Sequence, residues 1–125
     1  MTRWSLLFQT LLSYTTSWDS TRDSPPVTER EITELHPQAP EWQLISEGGI
    51  KKLYRVFRFT DFQQAPDFTN AIGNLSEGEG HHPRLVTEWG RVGVTWWTHA
   101  IRDLHRNDFV MAAKTCQLYE RVKPA

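Results

Sequence analysis

Trp42-Gln-Leu-Ile-Ser-Glu47-Gly48-Gly49-Ile50-Lys-Lys-Leu-Tyr-Arg-Val-Phe-Arg-Phe59 places two extended runs on either side of a glycine pair. In the second run Leu53, Arg55, Phe57 and Phe59 alternate with Tyr54, Val56 and Arg58. That period of two sends one set to each face of a strand. A Gly-Gly pair supplies the backbone freedom a tight turn needs. The stretch therefore predicts a β-hairpin with strands over 42–47 and 50–59. The pattern recurs downstream, where 85–89 and 92–99 flank Gly90-Arg91. There Val92, Val94, Trp96 and Thr98 share one face, and Gly93, Thr95, Trp97 and His99 the other. His99 is thus expected on the end of a strand, a rigid mount.

Helices fit around the two hairpins. Thr28-Glu-Arg-Glu31 has the spacing of a capping box, so a short helix is predicted over 28–35, ended by Pro37 and Pro40. Asp61 is expected to cap a second helix carrying Phe62, Ala65, Phe68, Ile72 and Leu75 at helical spacing as core. Pro66 either removes one bond there or moves the start toward Asp67. Asn107 or Asp108 is expected to cap a last helix with Phe109, Ala112, Ala113, Cys116 and Tyr119 along one stripe. The order α-β-β-α-β-β-α predicts an α+β fold, one sheet with helices on one face.

A chain of 125 residues is enough for one domain without disulfides or zinc. A net charge of −1 gives no electrostatic footprint for nucleic acid or an anionic membrane, so neither is expected as partner. Six Trp, six Phe and three Tyr suit a packed sheet and stacking on a flat ligand. The lone Cys116 cannot form an internal disulfide and fits a reducing compartment. Residues 1–26 read as a separate extension, with Trp4, Leu6, Leu7, Phe8, Leu11 and Leu12 set among Ser and Thr. They are too short an apolar run for a membrane span of ~20 residues. Arg3 as the only early basic residue argues against a targeting peptide, and no small-residue cleavage site marks a signal peptide. A cytoplasmic location is expected, or an organelle if residues 1–26 are a targeting peptide. The domain proper is expected over 27–125.

The chemistry concentrates in Glu77-Gly-Glu-Gly80-His81-His82-Pro83, read with Thr98-His99 and Asp108. Three of the five histidines fall here. Imidazole titrates near neutral pH, so clustered histidines can give and take protons. That points to acid–base catalysis or to a metal. Gly80 loosens the end of the second helix where the histidines begin, and Pro83 stiffens the segment that carries them. His36 and His105 have no motif partner and read as surface or capping residues.

Glu77-x-x-x-His81-His82-Pro83, Trp89, Thr98-His99 and Asp108 resemble pterin-4a-carbinolamine dehydratases, also called 4a-hydroxytetrahydrobiopterin dehydratases. The similarity runs from about Val27 to Val122 and includes Phe57-Arg-Phe-Thr-Asp-Phe62 and Trp96-Trp-Thr-His99. Leu104-His-Arg-Asn-Asp-Phe109 and Glu88-Trp-Gly90 are most similar to the bacterial branch. The chain departs from the family after His99, where Ile101-Arg-Asp-Leu104 stands in place of a Gly-Gly-Leu-Thr-like stretch. The resemblance implies a four-stranded antiparallel sheet backed by three helices, often in a homodimer or homotetramer. It implies dehydration of a 4a-hydroxytetrahydropterin to quinonoid dihydropterin, a lyase reaction that recycles the cofactor of aromatic amino acid hydroxylases. No metal or organic cofactor is implied, since the pterin is the substrate.

By position in that motif, His81, His82 and His99 are the candidate catalytic residues. His81 and His99 form the acid–base pair, and His82 is more concerned with holding the pterin. Gly80, Pro83, Trp97 and Thr98 support them. Asp108 either orients a histidine or caps a helix; Glu77 either hydrogen-bonds within the segment or to the pterin's amino and ring N–H groups, or stays an exposed carboxylate. Trp89 either packs behind the site or stacks on the ligand. A three-histidine metal site is the first rival, weakened because adjacent side chains on extended backbone point apart. A non-catalytic dimerisation or assembly role is the second, because relatives of this fold serve so; the intact histidine set favours catalysis.

Overall fold

Gly48 and Gly49, at φ 58° and 79°, turn the chain between β1 (Gln43–Glu47) and β2 (Ile50–Arg58). Both angles lie where residues with a Cβ are strained, so the glycine pair fixes this hairpin's register. In the computed structural model, which describes residues 25–124, α1 (Glu29–Leu35) precedes that hairpin. Next come α2 (Gln64–Glu79), β3 (Arg84–Glu88), β4 (Arg91–Trp96) and α3 (Arg106–Val122). The sheet order is β1-β2-β4-β3, antiparallel throughout. The fold is the expected α+β arrangement of four strands and three helices. The expected extension lies, up to residue 24, outside the described residues.

The alternation read in the strands sorts the faces. Leu53 and Phe57 of β2 and Val92, Val94 and Trp96 of β4 are buried with Ala65, Phe68 and Ile72 of α2. From α3 come Phe109, Ala112, Ala113 and Cys116, joined by Val110 and Met111. Residues 107–113 are buried without a break, so the start of α3 is enclosed on all sides rather than along one stripe. That enclosure is what allows a charged residue there to be shielded from water.

The helix starts follow side-chain chemistry, with corrections to the sequence reading. Thr28 and Glu31 form the expected capping box. Asp61 accepts from the Gln64 N–H at 2.9 Å, but it closes a turn ahead of α2, which begins at Gln64. Pro66 consequently falls in the first turn, where its missing N–H costs no intrahelical bond. Phe62 lies in that preceding turn and is 53% exposed, not core. Trp97 to Asp103 also differs from expectation. β4 stops at Trp96, and the chain enters a turn closed by the Thr98–Asp103 bridge. His99 sits in that turn and not on the strand.

Arg102 in the same turn has φ 53°, the one non-glycine residue with positive φ among those described. A left-handed backbone costs an L-residue ~1–2 kcal/mol. Arg102 is exposed. Arg102→Gly is therefore expected to raise stability by about 0.5–1 kcal/mol, since glycine's looser unfolded chain offsets part of the relief. Urea denaturation would read the gain.

Candidate active site

Three separate pieces of chain meet at one end of the sheet. The first is the exit from α2. Gly80, at φ 65°, terminates the helix in the left-handed conformation, and the His81 N–H bonds back to the Ser76 carbonyl at 3.1 Å. This is how a helix hands its last carbonyls to following amides, and it aims His81 inward. Pro83 then restrains the entry to β3.

The second piece is Trp97-Thr98-His99 after β4, and the third is the first turn of α3. Asp108, fully buried, joins all three. Its Oδ1 lies 2.6 Å from His81 Nε2, and its Oδ2 accepts from Thr98 Oγ1 at 2.8 Å and from the His105 N–H at 2.9 Å. An ionised carboxylate only accepts, so His81 Nε2 carries the proton toward Asp108 and Nδ1 is the nitrogen left for chemistry. The His81 ring stacks on Trp96 at 5.6 Å and 11°. Two surfaces thus lock the imidazole in place.

Asp108 does not begin α3 itself. His105 is the N-cap, its Nδ1 accepting from the Asn107 N–H at 3.1 Å, while Asp108 at the third helical position answers the His105 N–H. The pair is a capping box with histidine in the usual place of Ser or Thr. The N-cap is thus His105 rather than the expected Asn107 or Asp108, and Asp108 meets the His81 ring while closing the capping box from inside the helix. His36 also serves at a helix end, as the C-cap residue of α1, with Nε2 2.6 Å from the Trp42 carbonyl oxygen.

His82 turns the other way. Its Nε2 pairs with Glu77 Oε1 at 2.6 Å, and both side chains are largely exposed. His81 and His82 therefore face different carboxylates. Among the described residues, no group of three or more His, Cys, Asp or Glu converges as a metal centre would require.

His99 stacks on Trp97, with ring centroids 4.3 Å apart. His99 is exposed overall, yet the burial it does have pushes its pKa below the usual histidine range, and the nearby His81 pushes it further. Asp108 and a hydrogen bond to the His82 backbone oppose this in part, and Lys52 adds to the lowering. Burial lowers His105 as well. For a histidine depressed on folding, the unfolded chain takes up protons first as pH falls through 6.5, so stability is full above that value and declines below it. Urea midpoints are expected to be lower at about pH 5.5 than at about pH 7.5, with a shallower dependence in His99→Gln.

Trp97 proves to be the centre of a second cluster. Lys52 Nζ lies 3.9 Å from its ring centroid and the Arg84 guanidinium 5.5 Å away. Glu47 Oε1 accepts from both cations at 2.9 Å each, and those bonds hold its carboxyl below the ordinary range. Lys52, Glu47 and Arg84 escaped the sequence reading, because only strand register brings β1, β2 and β3 together here. Beyond them a groove of about 530 Å³ runs over the open sheet face, lined by Gln43, Tyr54, Arg84 and Gly93 among others. Trp89 is a correction: it lies in the β3–β4 turn, 68% exposed, at the far end of the strands. Strand rise puts it roughly 13 Å or more from the histidine end. It neither backs nor faces the site.

The sequence pattern of the family described as pterin 4 alpha carbinolamine dehydratase matches residues 25–118. A protein of Nitrosococcus oceani provisionally named pterin-4-alpha-carbinolamine dehydratase is 56% identical over 96 residues, covering 77% of this chain and 85% of its own. A similarly named Gloeobacter violaceus protein is 58% identical over 93 residues, covering 74% and 80%. Among solved structures, a transcriptional coactivator/pterin dehydratase from Brucella melitensis superposes with a TM-score of 0.67 at 30% identity, over 75% of this chain and 98% of that one. A pterin dehydratase-like RuBisCO assembly factor of the alpha-carboxysome shares the fold, with a TM-score of 0.51 at 23% identity over 61% and 88%.

Proposed function

Because the chain belongs to the pterin 4 alpha carbinolamine dehydratase family, we propose that it removes water from a 4a-hydroxytetrahydropterin by histidine acid–base catalysis. The observation that carries this reading is the buried Asp108 gathering His81, Thr98 and the His105 amide around one carboxylate. A carboxylate so placed fixes the orientation and tautomer of its histidine partner.

The reaction needs two proton transfers. The carbinolamine C–O bond breaks, the departing oxygen takes a proton and leaves as water, and the adjacent ring N–H gives up a proton as the C=N bond of the quinonoid product forms. Hydroxide leaves poorly without that first proton, and each positioned acid or base is typically worth ~10²–10⁴ in rate. His99, its pKa lowered chiefly by partial burial, suits the base. His81 enters the step as the imidazolium, gives its Nδ1 proton to the leaving oxygen and is left neutral, its Nε2–H still donating to Asp108. His82, steadied by Glu77 at the rim, holds the pterin.

No cofactor enters this scheme, since the pterin is the substrate. The product would feed tetrahydropterin recycling for an aromatic amino acid hydroxylase in the cytoplasm. Among the described residues no helix is long and apolar enough to cross a membrane. β1 and β3, the outer strands, leave backbone donors and acceptors for self-association into a homodimer or homotetramer.

The decisive experiment generates the 4a-hydroxytetrahydropterin with a phenylalanine hydroxylase and follows the quinonoid product by absorbance. Acceleration that survives a chelator supports the proposal. A folded protein that gives no acceleration refutes it and leaves partner binding as the reading to pursue.

A further inference from the structure

Lys52 is a lysine in the wrong place for an ordinary surface strand. It is 6% exposed, on the sheet face away from the helices, where a long cationic side chain normally reaches into water. Burying an ammonium is unfavourable unless it is partnered. Here Glu47 anchors it at 2.9 Å, and the Trp97 ring lies 3.9 Å beneath it. Glu47 is itself shared with Arg84, so one carboxylate serves two cations and the cluster keeps an excess positive charge beside the indole. The other partner of that indole is His99, at 4.3 Å and 29°.

We infer that Lys52 is a positioning residue for the site, its ammonium clamping Trp97 so that the indole fixes the His99 ring stacked on it. The inference rests on the reading of His99 as the base in pterin dehydration. His99 belongs to a turn rather than to the strand, so its ring needs an outside support to keep one orientation. Trp97 supplies the support, and the Glu47-anchored Lys52 and Arg84 hold Trp97. The cation has a second effect. The groups around His99 are His81 and the His82 backbone from the exit of α2, Asp108 from α3 and Lys52 from β2. Asp108 draws a proton onto the ring, burial and His81 oppose it most, and Lys52 adds the smallest share of that opposition. Removing Lys52 therefore loosens the ring and favours its protonated form, which cannot accept a proton.

The test compares Lys52→Met, which keeps the stem but loses the charge, with Lys52→Arg, which keeps a cation. Each is read by dehydration kinetics and by the NMR titration of the His99 ring. Lys52→Met is expected to lower kcat by about tenfold with KM changed by less than about twofold, and to move the acid limb of activity and the His99 titration to higher pH. Lys52→Arg is expected to restore kcat to within about threefold and to return the titration toward wild type. Trp97→Phe, a milder change to the same stack, is expected to shift kcat in the same direction.

Wild-type kcat and His99 titration in Lys52→Met would overturn the inference. So would Lys52→Arg as impaired as Lys52→Met. A wild-type protein without dehydratase turnover, whose His99 titration still depends on Lys52, would refute the dehydration reading and leave the link from Lys52 to His99 standing.

Discussion

His81→Ala and His99→Ala are each expected to lower dehydration turnover by ~10²–10⁴, because each removes one of two proton transfers from the same event. Both proteins should remain folded. His99 is exposed in a turn, and loss of the His81 ring leaves Asp108 still accepting from Thr98 and the His105 amide. His81→Gln sharpens the comparison. Glutamine can donate to Asp108 but cannot transfer a proton near neutral pH, so it is expected to recover stability and not turnover. Combining the two alanine changes should cost less than the product of the single losses, as happens when residues act as a unit. Turnover within tenfold of wild type in either single variant would remove that histidine from the chemistry.

The second large effect belongs to Asp108. Asp108→Ala removes the acceptor for the His81 ring, the Thr98 hydroxyl and the His105 N–H together, in a place water does not reach. Leaving buried partners unpaired is costly, and the expected loss is about 3–5 kcal/mol, a large fraction of the 5–15 kcal/mol that ordinarily holds a domain together. Asp108→Asn keeps the volume and one acceptor oxygen, so its loss should be nearer 1–3 kcal/mol. Its turnover is expected to fall about 10–100-fold, because the amide can present an N–H to His81 and disturb the tautomer. Urea denaturation and turnover on the same samples would separate the two effects. An alanine variant within 1 kcal/mol of wild type would show that the carboxylate is not the hub its hydrogen bonds describe.

What the sequence made legible was mostly local. The glycine pair, the alternation in β2 and the Thr28–Glu31 box each specify a backbone shape within a few residues, and each formed as read. The grouping of His81, His99 and Asp108 at one end of the sheet was legible through the family resemblance. His105 was half-legible, since His105-x-x-Asp108 has capping-box spacing, but histidine is an uncommon N-cap. Phe62 and His99 were misplaced for one reason: periodicity continues through a boundary that hydrogen bonding ends. The Lys52 cluster was illegible, because burial of that lysine depends on Trp97 covering it and on Glu47 arriving from the neighbouring strand. Trp89 was assigned to the site from its place in the motif, and the hairpin geometry carries it to the opposite end.

The shared role of Asp108 also bears on how the protein would come apart. The carboxylate that steadies His81 ties down the first turn of α3, and that turn is enclosed by the core. Fraying from this helix end would have to expose a buried charge, so the His105 and Asp108 amides should exchange with solvent only through whole-domain opening. Heat inactivation and unfolding would then coincide, with no loosened but still folded state in which the site alone has melted.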